Sequence, residues 1–393
     1  MNYRKDKRGT ELSILGFGCM RLPGTLGVID MEKTEQLIME AYNQGVNYFD
    51  TAYLYPGSEA ALGQILNKNN IRESVYIATK MPHPLCKKST DFDTYFDTEK
   101  ERLRTTYINY YLIHNITYLS QWEKLCELGV KEWLATKKEC GEIHQIGFSF
   151  HGSQNDFGTL LDDYDWDFCQ IQYNYINENY QAGTYGLHKA AEKNIPVIIM
   201  EPLLGGTLVN GLPKDAQNML KQANSNYSSV EWALKWLWNQ PEVTVVLSGM
   251  NAMSQLEENV RIASNSSVGC LPENELAVID EVVKIFNASF KIPCTGCNYC
   301  MPCPQKINIP ALFSAYNASY SLGLFQGFWQ YSLSVALIAG TPIGGNNCIE
   351  CGLCETHCPQ QIPIRESLRL VEKRLNPFWF RAAFAVYRTV SRR

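Results

Sequence analysis

Along the first two-thirds of the chain, apolar residues fall into two alternating patterns. Short, nearly continuous apolar runs recur as SILGFGCM (13–20), VNYFDT (46–51), VYIATKM (75–81), NYYLIHNI (109–116), IHQIGFSFH (143–151), FCQIQYNYI (168–176), PVIIMEP (196–202) and VTVVLSGM (243–250). Between them lie MEKTEQLIMEAYNQG (31–45), QWEKLCELGVKEWLATKKECG (121–141), VEWALKWLWNQ (230–240) and AMSQLEENVRIA (252–263), whose apolar residues recur three or four apart. Continuous runs mark strands buried on both faces, and the longer spacing marks helices with one buried stripe. Eight strands separated by helix-length crossovers predict a parallel sheet closed into an α/β (β/α)8 TIM barrel. An open doubly wound sheet is the alternative, but it usually carries a Gly-rich turn after its first strand. Here GFGCMRLPG lacks the G-x-G-x-x-G spacing.

After residue 264 the pattern changes. SNSSVG reads as a loop, and PENELAVIDEVVKIF (272–286) as a helix with proline and acids in its first turn. NASFKIP then leads into a cysteine-rich region. The expected organisation is a barrel over residues 1–290 and a small, mainly helical domain over 291–393. That second domain would hold a helical insert (around 309–340) and a C-terminal helix. The apolar stretch 319–340 is interrupted by Gln, Ser and Gly, so no transmembrane span is expected. The tail NPFWFRAAFAVYRTVSRR (376–393) is aromatic and basic at helical spacing. It reads as a helix docked on the protein, with a membrane-surface or partner contact as the alternative.

Composition narrows the class. With 45% hydrophobic and 19% charged residues, the 393-residue chain is an ordinary globule rather than a disordered one. A net charge of −5 gives no reason to expect nucleic acid as a partner. Met1 leads into NYRKDKRGTELS without an apolar core, so a secretory signal is not expected and a cytoplasmic location is. Fourteen cysteines are present, and in a reducing compartment closely paired cysteines favour metal over disulfides. Six of them (Cys19, Cys86, Cys126, Cys140, Cys169, Cys270) are scattered and read as small apolar residues.

Barrel enzymes carry their working groups at the C-terminal ends of the strands. Those positions hold Asp50 at the end of the second predicted strand, Tyr55 in the loop after it, Lys80 at the end of the third and His114 at the end of the fourth. Any one has a bland reading, but together they form a chemical set. Reducing a carbonyl requires an acid to protonate its oxygen as charge builds there. A free Tyr hydroxyl, with a pKa of about 10, is a poor acid at neutral pH. A neighbouring Lys ammonium would stabilise the tyrosinate, Asp50 would hold that ammonium, and His114 would orient the carbonyl.

With these residues the sequence resembles the aldo-keto reductase family over roughly residues 1–290. The motif D-T-A-x-x-Y and the Asp, Tyr, Lys, His order match Asp50, Tyr55, Lys80 and His114. The resemblance implies that Tyr55 is the general acid and that a nicotinamide cofactor, NAD(P)H, lies across the barrel mouth. It further implies carboxamide contacts from Ser149, in IGFSF, and Gln170, with Phe150 standing where Asn is usual. It places the adenine end at the stretch SGMNAMSQLEEN, with Ser248, Glu258 and Asn259 at family positions. Gly249, Met250 and Gln255 fall where typical members carry Lys, Ser and Arg to grip a 2′-phosphate. NAD, NADP and a flavin all stay open.

The cysteine region has its own signature. Cys348, Cys351, Cys354 and Cys358, followed by Pro359, follow the C-x2-C-x2-C-x3-C-P spacing of bacterial ferredoxins. Cys294, Cys297, Cys300 and Cys303, followed by Pro304, repeat it with x2 in place of x3, and PQKINIP echoes PQQIPI. Zinc is the alternative for C-x2-C pairs. The region is similar to two-cluster ferredoxins, which implies two [4Fe–4S] clusters. One would be held by Cys294, Cys297, Cys300 and Cys358, the other by Cys348, Cys351, Cys354 and Cys303.

The expected function is therefore an oxidoreductase acting on a small carbonyl or alcohol substrate, with electrons relayed through the clusters from a one-electron donor such as a ferredoxin. The alternatives are a plain NAD(P)H-dependent carbonyl reductase with structural or redox-sensing clusters, and a non-enzymatic barrel serving as a binding or regulatory protein.

Overall fold

The computed structural model describes residues 1–25, 28–336 and 343–378. The end of the insert and the tail from 379 onward lie outside the described residues. Eight strands close into one barrel. We number them β1 (Leu15–Gly18), β2 (Tyr48–Asp50), β3 (Tyr76–Met81), β4 (Ile108–Ile116), β5 (Ile143–Phe150), β6 (Phe168–Gln172), β7 (Val197–Met200) and β8 (Val243–Ser248). Every pairing is parallel, and β8 closes on β1 with Val246 opposite Leu15 and Ser248 opposite Phe17. All eight predicted runs contain a barrel strand.

Two runs are trimmed for local reasons. The first splits, because Glu11–Ser13 pairs antiparallel with Tyr3–Lys5 in an N-terminal hairpin. The sixth ends at Gln172 because the Asn174 side chain accepts the backbone N–H groups of Ile176 and Asn177, which turns the chain. One predicted helix also becomes two. Residues 121–141 form Leu119–Glu127 and Val130–Glu139, broken at Gly129. Gly129 has φ +84° and donates its N–H to the Cys126 carbonyl, a helix stop that glycine adopts without steric cost.

The floor of the barrel is apolar and closed. Tyr48, Tyr110 and Phe168 meet Ala78, Ile198 and Leu12 there. The Tyr110 hydroxyl donates to Asp6 Oδ2 at 2.6 Å, and Asp6 Oδ1 accepts the N–H groups of Arg8 and Thr10. Side chains alternate along a strand. With Tyr48, Ala78, Leu112 and Phe168 pointing inward, Asp50, Lys80, His114 and Gln170 also point inward, one layer nearer the C-terminal mouth.

The chain divides into two compact units: Met1–Pro202 with Val230–Glu273, and Leu203–Ser229 with Asn274–Arg393. The second unit is helical. Helices Ile309–Ser321, Leu324–Ala336 and Ile364–Leu375 bury Leu312, Phe313, Tyr316, Tyr331, Leu368 and Val371. Its buried Glu372 accepts hydrogen bonds from the Tyr331 hydroxyl at 2.7 Å and the Gly345 N–H at 2.6 Å, tying three segments together. Among the described residues no helix is long and apolar enough to cross a membrane.

A direct check of the helix break is Gly129→Ala. Almost nothing lies near a Cβ there, so the cost is backbone strain alone. Urea unfolding should show a loss of about 1 kcal/mol. An unchanged midpoint would show that the left-handed turn is not needed.

Candidate active site

Parallel pairing sets Asp50 beside Ala78 and Lys80 beside Leu112, so the inward-facing ends of β2, β3 and β4 lie at neighbouring positions around the mouth. Lys80, 1% exposed, donates to Asp50 Oδ1 at 2.6 Å and to the Thr51 carbonyl at 2.6 Å. The same ammonium nitrogen stands 5.2 Å from the centre of the Tyr55 ring. Tyr55 reaches back over the site from the loop between β2 and helix Ser58–Lys68, and its ring meets the His114 imidazole edge-on at 5.7 Å. The structure thus brings the four predicted residues together.

The electrostatics follow from burial. Burial pushes the Asp50 carboxyl up and the Lys80 charge pulls it partly back. His114 is held well below the usual imidazole range, first by burial and then by the charge of Lys80. The imidazole is therefore neutral at physiological pH and can act as a hydrogen-bond partner rather than a cation. His114 Nδ1 and Asp50 Oδ2 are buried and make no hydrogen bond. Polar atoms left so are costly, and a bound polar molecule would satisfy them.

Behind Lys80 lies an acidic layer that sequence reasoning missed. Glu59, in the first turn of helix Ser58–Lys68, accepts from Thr79 Oγ1 at 2.6 Å and pairs with Arg102 at 3.1 Å. Glu99 accepts from the Tyr111 hydroxyl at 2.8 Å, and burial, then the charge of Glu59, raises its carboxyl well above the usual range. The available signal was an acid among small apolar residues in SEAALG.

On the far side of the mouth, Ser149 Oγ accepts the Asn115 N–H at 2.7 Å, and Ser149 is paired in register with Gln170. Gln170 Nε2 lies 3.7 Å from the Met200 sulfur, and its Oε1 has no hydrogen-bond partner. Phe150 turns outward instead, packing on Phe157 at 5.2 Å in the helix layer. An apolar residue fits there because strand alternation points position 150 away from the mouth. Two further residues come into view. His151 Nδ1 lies 3.1 Å from Gln181 Oε1, and burial lowers its imidazole to about 4. Gln172, two residues beyond Gln170 on β6 and so on the same face, is fully buried with neither amide atom hydrogen-bonded. Alternation along GFSFH and CQIQ was the signal for both.

After β8, Asn259 donates to Ser248 Oγ at 3.0 Å. Gln255, in the first turn of helix Met253–Ser264, folds back to accept the Asn251 N–H at 3.0 Å. Gly249 lies beside Gly18 and Arg21. Glu258 sits partly exposed on that helix, near Arg261, which bonds Glu231 at 2.8 Å.

In the second unit the eight clustered cysteines line two hollows. Cys303, Cys348, Cys351 and Cys354 share a cavity of about 340 Å³ whose wall also includes Cys300 and Ile309. Cys294, Cys297, Cys300 and Cys358 line a second, whose wall also includes Ile309. Clustered thiols of this kind are the donor type that iron–sulfur clusters take. Burial and the nearby Cys294, Cys297 and Cys358 push the Cys300 thiol up to about 12.

Comparison with known proteins agrees with both halves. The aldo/keto reductase family model matches residues 14–284, and a 4Fe-4S dicluster domain model matches 293–362. L-galactose dehydrogenase of Arabidopsis thaliana is 25% identical over 305 residues, covering 70% of this chain and 92% of that protein. L-glyceraldehyde 3-phosphate reductase of Escherichia coli K12 is 24% identical over 330 residues, covering 72% and 92%. In structure the chain is similar to an aldo-keto reductase of Bacillus halodurans in its holo form, with TM-score 0.60, 23% identity, and coverage of 72% of this chain and 96% of that one. The chain belongs to the aldo/keto reductase family and carries a 4Fe-4S dicluster domain C-terminal to the family domain in sequence.

Proposed function

We propose that the chain interconverts a small carbonyl compound and its alcohol at the barrel mouth, drawing electrons through its two iron–sulfur centres. The observation that carries the catalytic half is the Lys80 ammonium, held by Asp50 and Thr51 beside the Tyr55 ring and the neutral His114. In the reducing direction the Tyr55 hydroxyl gives its proton to the substrate oxygen. Lys80 stabilises the tyrosinate left behind, and the neutral His114 orients the oxygen by a hydrogen bond.

Gln170 and Ser149 would hold the carboxamide of a nicotinamide cofactor, which supplies hydride when bound. The orphaned Gln170 Oε1 fits that use. The loop after β8 has no Lys or Arg at 249, 250 or 255, which leaves a 2′-phosphate without its usual grip.

Reduction of a carbonyl to an alcohol takes two electrons and two protons; on this route Tyr55 gives one proton to the oxygen and water gives the other to the carbon. A one-electron donor such as a reduced ferredoxin would supply the electrons in two deliveries through the centres. One observation supports this route. The two cysteine hollows share Cys300 and Ile309 in their walls, which suits transfer from one centre to the next.

Tyr55→Phe should cut turnover of a carbonyl substrate by about 100-fold or more, with iron content unchanged. Lys80→Met should come close to that loss. Full activity of Tyr55→Phe would remove Tyr55 as the acid.

Anaerobically purified protein should contain about eight iron atoms, as expected for two [4Fe–4S] clusters. Reducing these with a chemical one-electron donor, without nicotinamide, should drive carbonyl reduction. Eight irons with no turnover under those conditions, alongside turnover with NADH or NADPH, would make the clusters structural. Zinc in place of iron would overturn the assignment altogether.

A further inference from the structure

The loop that carries Tyr55 projects from the barrel. Leu54, Pro56 and Gly57 are exposed, and Tyr55 itself is half-buried. Two of its backbone hydrogen bonds are local turns, from the Tyr55 N–H to the Ala52 carbonyl and from the Ser58 N–H to the Tyr55 carbonyl. Exposed segments closed by local bonds open readily. Yet the chemistry assigned to Tyr55 depends on where its hydroxyl stands relative to the Lys80 ammonium, because that attraction weakens with distance.

The two ends of the loop are fixed. At its start the Thr51 N–H donates to the Ala78 carbonyl on β3 at 2.8 Å. At its far end Ser58 Oγ lies 2.8 Å from Thr51 Oγ1 and donates to the Cys19 carbonyl at 2.9 Å. The next residue, Glu59, is 1% exposed. One of its carboxylate oxygens accepts from Thr79 Oγ1 at 2.6 Å, and the other accepts from Arg102 at 3.1 Å. Thr79 immediately precedes Lys80 on β3. Arg102 in turn reaches the Tyr53 carbonyl at 3.5 Å and lies 4.3 Å from the centre of the Tyr53 ring. One oxygen of Glu59 thus grips the strand that bears the ammonium. The other, through Arg102, grips the front half of the loop.

A carboxylate is a costly way to fill this space. Burial pushes the Glu59 carboxyl up, against the pull of Thr79, Arg102 and Lys80. An apolar side chain would pack there without that cost, but it would not point in one fixed direction. Hydrogen bonds to two segments define one geometry. Glu99 and Arg102, both on helix Thr90–Leu103, and Lys80 on β3 are the charged or titratable groups that act on Glu59 or are acted on by it. Lys80 and His114 are those that face the Tyr55 ring. We propose that Glu59 is a positioning residue for the proton donor: it clamps the Tyr55 loop to the strand carrying Lys80 and so sets the separation of hydroxyl and ammonium. The proposal rests on the reading of Tyr55 as the acid.

Titration of Tyr55 in the iron-loaded full chain tests the clamp without turnover. Carbon-13 NMR of ring-labelled tyrosine follows each hydroxyl, and the signal missing from Tyr55→Phe identifies Tyr55. In the wild type it should ionise below about 10, the value of a free tyrosine. Glu59→Gln should raise its pKa by about one unit, a tenfold loss of acid strength. The direction is decisive. Loss of a negative charge alone would favour the tyrosinate and lower the pKa, whereas a loosened loop takes the hydroxyl away from the ammonium and raises it. Thr79→Val keeps the charge and removes only the strand contact, so it should raise the pKa as well. Glu99→Gln, at a residue that binds Tyr111 instead, should leave it in place. Circular dichroism and iron content show which variants are folded, and if Glu59→Gln is not, Thr79→Val decides. An unchanged or lowered pKa in either folded variant overturns the clamp, as does an equal rise in Glu99→Gln. An ordinary wild-type value would instead overturn the reading of Tyr55 as an activated acid, and the clamp with it.

Discussion

The buried ion pair of Lys80 and Asp50 is the constraint around which the barrel mouth is organised. Two charges taken out of water are tolerated only when closely matched, and removing one partner of such a pair costs about 3–5 kcal/mol. The match here is a 2.6 Å contact, with the Thr51 carbonyl taking a second ammonium hydrogen. Asp50 and Lys80 sit on adjacent parallel strands, with Asp50 in register with Ala78 and Lys80 two residues farther along on the same face. The positive charge so fixed helps to keep His114 neutral and faces the Tyr55 ring. The acids behind it, Glu59 and Glu99, are tied to Arg102 and Tyr111, so neither competes with Asp50 for the ammonium.

The barrel was legible because its strands are buried on both faces and read as unbroken apolar runs. The four rim residues were legible for a related reason: a titratable side chain ending an apolar run has few places to go except the mouth. Contacts that depend on where two distant segments meet left weaker traces. Gly129 sat inside a helical period and looked like a tolerated glycine, although its positive φ splits the helix. Phe150 stands in the place of an expected polar residue. The structure turns it into the helix layer and presents His151 on the other face, an alternation that the run GFSFH contains but that family comparison obscures.

Cysteine spacing showed which residues belong together, since the triple C-x2-C pattern and the following proline are local. It did not show how the rest of the chain is shared out. Leu203–Ser229 follows β7 in sequence yet folds into the unit that holds the cysteines. Gly205 explains part of this: it has φ +65°, and a Cβ would collide with the Thr295 carbonyl oxygen. Only glycine allows that approach, and the glycine pair in LLGGTL carries no hint of a distant partner.

The two kinds of electron chemistry are less at odds than the sequence suggests. Tyr55, Lys80 and His114 manage a proton and the negative charge on an oxygen, and both demands arise whether electrons come as hydride or singly. Hydride delivers both electrons together, so the rim need only stabilise charge on oxygen for the length of one step. Single electrons would leave a charged, half-reduced substrate waiting for the second. The proposed relay therefore asks more of the fixed ammonium than a plain reductase does. A charge held by two short hydrogen bonds in a dry site is well suited to that demand, because it needs no reorganisation between the first electron and the second.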